Sequence, residues 1–238
     1  MGRDISYSIE DASEIQKSYQ LHKDDYGNIK AITAAIKNPS NDHIAREIIM
    51  ADWEAPMMKK HADIMCNSTQ TYGGKDILEI GFGLGLSATY VQEMCDINSH
   101  TIIERHPQIA ENARHWAKDK VGVKIIEGDW WDVRNEFLIY DGIFYDAEYD
   151  PHLENFWDSI KMTIKEGGIF TFFSHFGSTG KHSHNLVPEF KVKYEHMDIS
   201  NITPNAGETG GEGVIFCEDS EENDYFLPYI KREFNTCI

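Results

Sequence analysis

Asp76-Ile77-Leu78-Glu79-Ile80-Gly81-Phe82-Gly83-Leu84-Gly85 is a short apolar run that breaks into alternating glycines. A bounded apolar run of this length suits a buried strand, and glycines let the backbone turn tightly and approach a ligand closely. The stretch predicts a strand over 76–80, a turn over 81–85 and a helix over 86–95. Downstream the alternation continues, with strands expected over 101–104, 123–127, 140–145 and 169–173. Helices are expected over 107–118, opened by Pro107, and over 153–164, stopped by Gly167-Gly168. Strands spaced by helices in this way predict an α/β fold, a mostly parallel Rossmann-like sheet with helices on both faces. Residues 190–197, 213–217 and 225–231 suit an antiparallel addition at the sheet edge. A glycine-rich loop over 207–213 and an acidic run over 218–224 separate them.

Upstream of the glycine turn the pattern is weaker. Short helices are expected over 11–21 and over 29–37, the second ending before Pro39. From 41 or 42 to 66 the apolar positions Ile44, Ile48, Ile49, Trp53, Met57 and Met58 recur at helical spacing, with a break or restart at Pro56. This predicts an N-terminal helical cap over 1–71 that packs on or closes over a catalytic domain over 72–238.

At 238 residues the chain has room for one substantial core, and two independent domains would be cramped. Forty acidic residues against 22 basic ones give a formal charge of −18, a field that repels nucleic acid and anionic membranes and attracts small cations. Cys66, Cys95, Cys217 and Cys237 lie far apart with no C-x-x-C pair, so they are expected as reduced thiols in a cytoplasmic protein. No apolar run approaches the roughly 20 residues that span a bilayer.

In an open α/β sheet a ligand sits beyond the carboxyl ends of the strands. Candidate cofactor residues therefore stand at those ends: Glu79, Gly81, Gly83 and Gly85 at the first turn, and Glu104 after the second strand. An acid at the position of Glu104 can accept both ribose hydroxyls. Asp129, in Glu127-Gly128-Asp129, can receive an adenine amino group, with Trp130 beside the ring or in packing, and Asp146 ends the fourth strand. The glycine spacing departs from the dinucleotide fingerprint, which weakens the rival reading, a dinucleotide-dependent oxidoreductase. S-adenosylmethionine has no pyrophosphate and carries a sulfonium charge, so a looser turn with an acidic pocket suits it better.

Several segments carry a resemblance. Trp53-Glu54-Ala55-Pro56-Met57-Met58, Leu78-Glu79-Ile80-Gly81-Phe82-Gly83 and Ile103-Glu104 are similar to the guanidinoacetate N-methyltransferase family. So are Gly128-Asp129-Trp130-Trp131-Asp132-Val133, Tyr140-Asp141-Gly142-Ile143-Phe144-Tyr145-Asp146 and Tyr225-Phe226-Leu227-Pro228. The resemblance runs in order over residues 48–230. It implies a class I methyltransferase fold with an N-terminal segment over the substrate, and it places the ribose acid on Glu104. It also implies two carboxylates, Glu54 and Asp146, gripping the guanidino group of a small acceptor.

That chemistry is coherent. Carboxylates match a guanidinium in bidentate geometry. A protonated guanidinium is a poor nucleophile, and in solution it holds its proton far above neutral pH. Asp146 is expected as the general base and Glu54 as the orienting partner. Guanidinoacetate is the acceptor implied by the family, with arginine and agmatine close behind. Where the family has a small polar residue and a tyrosine after Asp146, this chain has Ala147 and Glu148. The loop with Ser174-His175 has diverged as well. Glu148, Tyr149 and His175 are therefore candidates for the other end of the acceptor, and Glu148, Asp150 or Glu154 could meet a second positive group. No metal is expected from His175, His182 and His184. His61 and His152 are read as near the acceptor or as capping and surface residues. A homodimer is left open.

Overall fold

The computed structural model describes residues 8–37, 43–67, 73–147, 149–173, 192–199 and 224–232. The N-terminal part opens with helix α1 (Ile9–Lys17). Its first turn is closed reciprocally: the Ser8 hydroxyl accepts from the Asp11 amide at 3.1 Å, and the Asp11 carboxylate accepts from the Ser8 amide at 3.3 Å. Strands β1 (Gln20–Lys23), β2 (Ile29–Lys37) and β3 (Ile44–Ala51) follow as an antiparallel meander. Helix α2 (Ala55–Cys66) starts after a single 3₁₀ turn over Asp52–Glu54, with Pro56 in its first turn.

The cap is thus not helical throughout. Residues 29–37 and 44–51 are strands where helices were expected, for two physical reasons. Ile29, Ile32, Thr33 and Ile36 are β-branched, and alternation places Ile32, Ala34 and Ile36 on one buried face. In β3 the register jumps, with Ile32 opposite Met50 and Thr33 opposite Ile48. The extra residue, Ile49, breaks the period of two, and the apolar positions then mimic helical spacing.

The main domain carries β4 (Lys75–Ile80), α3 (Leu86–Met94), β5 (Ile97–Glu104), α4 (Pro107–Trp116) and β6 (Val123–Glu127). The short α5 (Trp130–Val133), β7 (Tyr140–Tyr145), α6 (Leu153–Thr163), β8 (Ile164–Phe172), β9 (Lys193–Asp198) and β10 (Asp224–Lys231) complete it. One seven-stranded sheet runs in the order β6-β5-β4-β7-β8-β10-β9. The first five strands are parallel, and β10 lies antiparallel to both β8 and β9. The expected α/β architecture is therefore present, with its antiparallel edge. Strand β8 starts at Ile164, five residues earlier than expected, so Gly167 and Gly168 lie inside it, where they exchange backbone hydrogen bonds with Arg232. The expected strand at 213–217 and the loop at 207–213 lie outside the described residues.

The turn after β4 sets the geometry of the domain. The Gly81 amide donates to the Ile103 carbonyl at 2.8 Å, and the Asp146 amide donates to the Ile80 carbonyl at 2.9 Å. Gly81 has φ 93°, and a Cβ there would run into the Asp146 carbonyl oxygen. Only glycine lets β4 turn this close to the end of β7.

The cysteines depart from expectation. Cys66 and Cys95 form a disulfide, their Cα atoms 5.3 Å apart, where reduced thiols were expected. The 29-residue separation gives no hint of this, because only the packing of α2 along α3 brings the two helix ends together. Cys217 and Cys237 lie outside the described residues. Among the described residues no helix is long and apolar enough to cross a membrane.

A bond closing a loop of this size stabilises a fold by about 2–4 kcal/mol, chiefly through the unfolded chain. Cys66→Ser should therefore lower Tm by roughly 5–10 °C in calorimetry. A Tm that neither this substitution nor a reducing agent moves would show that the bond contributes nothing to stability.

Candidate active site

The carboxyl ends of β4, β5, β6 and β7 open into a cleft of about 640 Å³, including its mouth. Gly81, Gly83, Glu104, Asp129, Trp130 and Asp146 line it from the main domain. Tyr19, Ile32, Ile49 and Met50 wall it from the N-terminal part. Six of the expected cofactor positions are thus brought together, and the meander forms one side of the same space.

Glu104 is buried, yet its carboxylate is anchored by backbone. Oε2 accepts from the Phe82 amide at 2.9 Å and Oε1 from the His106 amide at 2.7 Å. The Gly83 amide approaches the same Oε2 more distantly, at 3.5 Å, and a carboxylate with about four acceptor sites keeps capacity for a further hydroxyl. Met50 packs on Gly83, and its Sδ receives the Leu84 amide at 3.1 Å, which seats β3 on the glycine turn. Asp129 caps α5 by accepting from the Trp131 amide at 2.8 Å, and burial raises its pKa.

Glu79 and Gly85 stand elsewhere. Glu79 is fully buried, accepts from the Ser87 hydroxyl at 3.2 Å, and lies 3.4 Å from His100 Nε2. Gly85 leads into α3 with φ 71° and abuts the Phe82 ring. Neither walls the cleft; one acts through its charge, the other through the turn.

Of the two expected acceptor carboxyls, Glu54 is buried and Asp146 is half-buried at the wall of the cleft. Asp146 lines the cleft, and its pKa is raised to about 7 by burial first, then by the charges of Glu79 and Glu104. Glu54 closes the turn before α2 and is 4% exposed, with Oε1 accepting from the Ala51 amide at 2.7 Å. Its pKa is raised to about 8 by burial and then by the nearby charge of Asp146. Two carboxyls that resist ionisation, one lying in the field of the other, favour a cation nearby.

Other expectations resolve differently. The Tyr149 hydroxyl donates to Glu47 on β3 at 2.7 Å, and Tyr149 itself takes the left-handed conformation with φ 56°. Asp150 lines the cleft, but its carboxylate is engaged by neighbouring donors. It accepts from the Trp130 indole N–H at 2.6 Å, from the Tyr145 hydroxyl and from the His152 amide at 2.8 Å. His61 is a buried tie between elements, not an acceptor contact. The Thr171 hydroxyl donates to the Pro228 carbonyl at 2.7 Å, so its oxygen accepts from His61 Nδ1–H, and the Tyr225 hydroxyl donates to Nε2. Burial holds the His61 pKa down at about 3, so the ring stays neutral. His152 stacks on Trp131 with ring centroids 5.0 Å apart. Glu148, His175, His182, His184 and the side chain of Glu154 lie outside the described residues. Among the described residues no group of three or more His, Cys, Asp or Glu is placed to hold a metal.

Sequence reasoning missed Tyr19, Met50 and Arg105 as cleft residues. Arg105 had a legible signal, since it directly follows Glu104 at a strand end. Tyr19 and Met50 had none, because their place depends on how the meander docks.

A family model described as Guanidinoacetate N-methyltransferase matches residues 23–207. The protein arginine N-methyltransferase 2 of Yarrowia lipolytica is 32% identical over 198 residues, covering 76% of this chain and 41% of the relative. That of Candida glabrata is 33% identical over 139 residues, covering 55% of this chain and 33% of the relative. The chain therefore spans well under half the length of these curated relatives. Among solved structures, a spermidine synthase in complex with the transition-state analogue AdoDATO superposes with TM-score 0.55 at 13% identity, covering 90% of this chain and 73% of that one. Aeropyrum pernix fibrillarin with natively bound S-adenosyl-L-methionine gives 0.51 at 14% identity, covering 90% and 94%. At such identities these likenesses show the fold alone, that of the class I S-adenosylmethionine-dependent methyltransferases. The family follows from the sequence match: the chain belongs to the guanidinoacetate N-methyltransferase family.

Proposed function

We propose that this chain transfers the methyl group of S-adenosylmethionine to a nitrogen of a guanidino group. The observation that carries the reading is the pair of carboxyls, buried Glu54 and half-buried Asp146, at the cleft built on the glycine turn. The family match leaves a dinucleotide-dependent oxidoreductase without support.

The residues divide the work physically. Glu104 offers its carboxylate to the ribose, and Asp129 with Trp130 flanks the adenine. The cofactor supplies an electrophilic methyl group on a cationic sulfur. A guanidinium beside that sulfonium at roughly 4 Å is repelled by about 4 kcal/mol at an effective dielectric of 20. Ionised Glu54 and Asp146 offset that repulsion and orient the fork of N–H donors. Asp146, nearer the cofactor cleft, accepts the proton as nitrogen attacks the methyl carbon. Holding nitrogen, carbon and sulfur in line provides much of the remaining acceleration.

The acceptor class is a small guanidino compound, with guanidinoacetate, arginine and agmatine as members. The fungal relatives carry the name protein arginine N-methyltransferase, which favours a second reading, an arginyl side chain of a protein. The charge of −18 supports a cationic acceptor under either reading and opposes a nucleic-acid partner. Methyl transfer assayed over free guanidino compounds and basic peptides separates the two, and no transfer to any of them would overturn the proposal.

Asp146→Asn should lower kcat by a factor on the order of 10²–10⁴. Calorimetry should meanwhile find the affinity for S-adenosylhomocysteine within a few fold of the unmodified chain. Unimpaired turnover would mean that another group takes the proton.

Both folded-state pKa values lie above those of an unfolded chain, so the folded protein binds more protons between about pH 4.5 and 8. Stability of the free enzyme should therefore fall as pH rises through that window, by an amount on the order of a few kcal/mol. Glu54→Gln should flatten the fall, and acceptor kcat/KM of the unmodified enzyme should rise from pH 6 to pH 8.5. A free enzyme whose Tm climbs across this range would contradict the assignment.

A further inference from the structure

Tyr149 holds a backbone conformation that a bulky residue rarely adopts, with φ 56°. Such a conformation persists only where the surroundings over-determine it. Here they do. The Tyr149 side chain packs on a small apolar cluster of the N-terminal part, formed by Ile15, Ala34 and Ile36. Its hydroxyl donates to Glu47 Oε2 on β3 at 2.7 Å. The loop that follows the proposed base, Asp146, is thus pinned to the cap by this side chain.

The place of this contact matters. Tyr19, Ile49 and Met50 wall the cleft from the cap, and Asp146, Ala147 and Asp150 wall it from the β7 end. The cap meander and the main sheet are separate sheets, so contacts outside the strand ladders seat one on the other. On the side of β4 and β5, Ile32 packs with Phe82 and Ile102. Gln16 Nε2 donates to the Arg105 carbonyl at 2.7 Å, and the Leu84 amide donates to Met50 Sδ at 3.1 Å. Strand β7 lies on the other side of β4 from β5. Tyr149 therefore fastens the cap on the flank of the cleft opposite to these contacts.

On the reading above, in which this cleft holds S-adenosylmethionine, we propose that Tyr149 acts as a clasp: bonded to Glu47, it fastens the cap across the cleft and sets how fast the cofactor enters and leaves. Release of the clasp opens the cleft on its β7 side, in the empty and the loaded protein alike. A bond present in both states gives neither an advantage. Weakening it therefore speeds entry and exit together and leaves the equilibrium constant near its original value. A residue that only shapes the pocket behaves otherwise. Its loss speeds exit, leaves entry unchanged and weakens binding.

Surface plasmon resonance with S-adenosylhomocysteine over the immobilised full chain gives both rate constants. Tyr149→Phe keeps the ring in its cluster and removes the bond to Glu47. It should raise kon and koff about fivefold each, with Kd within about twofold of the unmodified chain. Glu47→Ala should act in the same way, and it provides the readout should Tyr149→Phe fail to fold. Glu47→Gln, which keeps an acceptor oxygen, should lie close to the unmodified chain. Tyr149→Phe combined with Glu47→Ala should exchange no faster than either single variant, because both remove the same bond. Three results would each overturn the inference and leave the methyltransferase reading standing: unchanged rates in both single variants, a rise in koff with kon unchanged, or additive effects in the double variant. Failure of the unmodified chain to bind the nucleoside would overturn both.

Discussion

The close passage of β4 and β7 at Gly81 is the constraint on which the site depends. The Gly81 backbone lies against the Asp146 carbonyl, and the Asp146 amide is tied to the Ile80 carbonyl. A side chain at this turn would force the two strand ends apart and carry Asp146 away from the cleft. The same turn is held from the opposite side by Glu104, through the Phe82 amide. One glycine thus brings the proposed ribose acid and the proposed base to one edge of the sheet.

Charge is the second organising theme. Carboxyls are gathered where water is scarce, and each raises the cost of ionising the next. Glu79 and Glu104 act on Asp146, and Asp146 acts on Glu54. Such a cluster is poorly satisfied while empty and well satisfied by two cations, a sulfonium and a guanidinium. Arg105 is the exception among the described residues that line the cleft.

Much of this was legible in the sequence because it rests on local rules. Apolar runs bounded by glycines mark the parallel strands, and strand-end acids mark the cleft, so Glu104, Asp129 and Asp146 fall where expected. What was not legible depends on long-range packing. The bulge at Ile49 disguised β3 as a helix, since the alternation fails at one residue. The Cys66–Cys95 bond requires α2 and α3 to lie side by side, which spacing does not reveal. Glu79 looked like a ligand because it precedes the glycine turn, yet its side chain points to Ser87 and His100. Asp150 looked like an acceptor contact because it sits in an acidic loop, and its three donors come from residues scattered over 130–152.

On the proposed function, a guanidinium enters a site whose two carboxyls hold at least one proton between them at neutral pH when empty and must ionise to receive it. Proton release on binding measures this directly. Guanidinoacetate and arginine can each be titrated into the complex with S-adenosylhomocysteine at pH 7, in buffers of different ionisation enthalpy. The account predicts that the observed heat varies with the buffer and corresponds to the release of about one proton per acceptor bound. Binding with a heat independent of the buffer would contradict it.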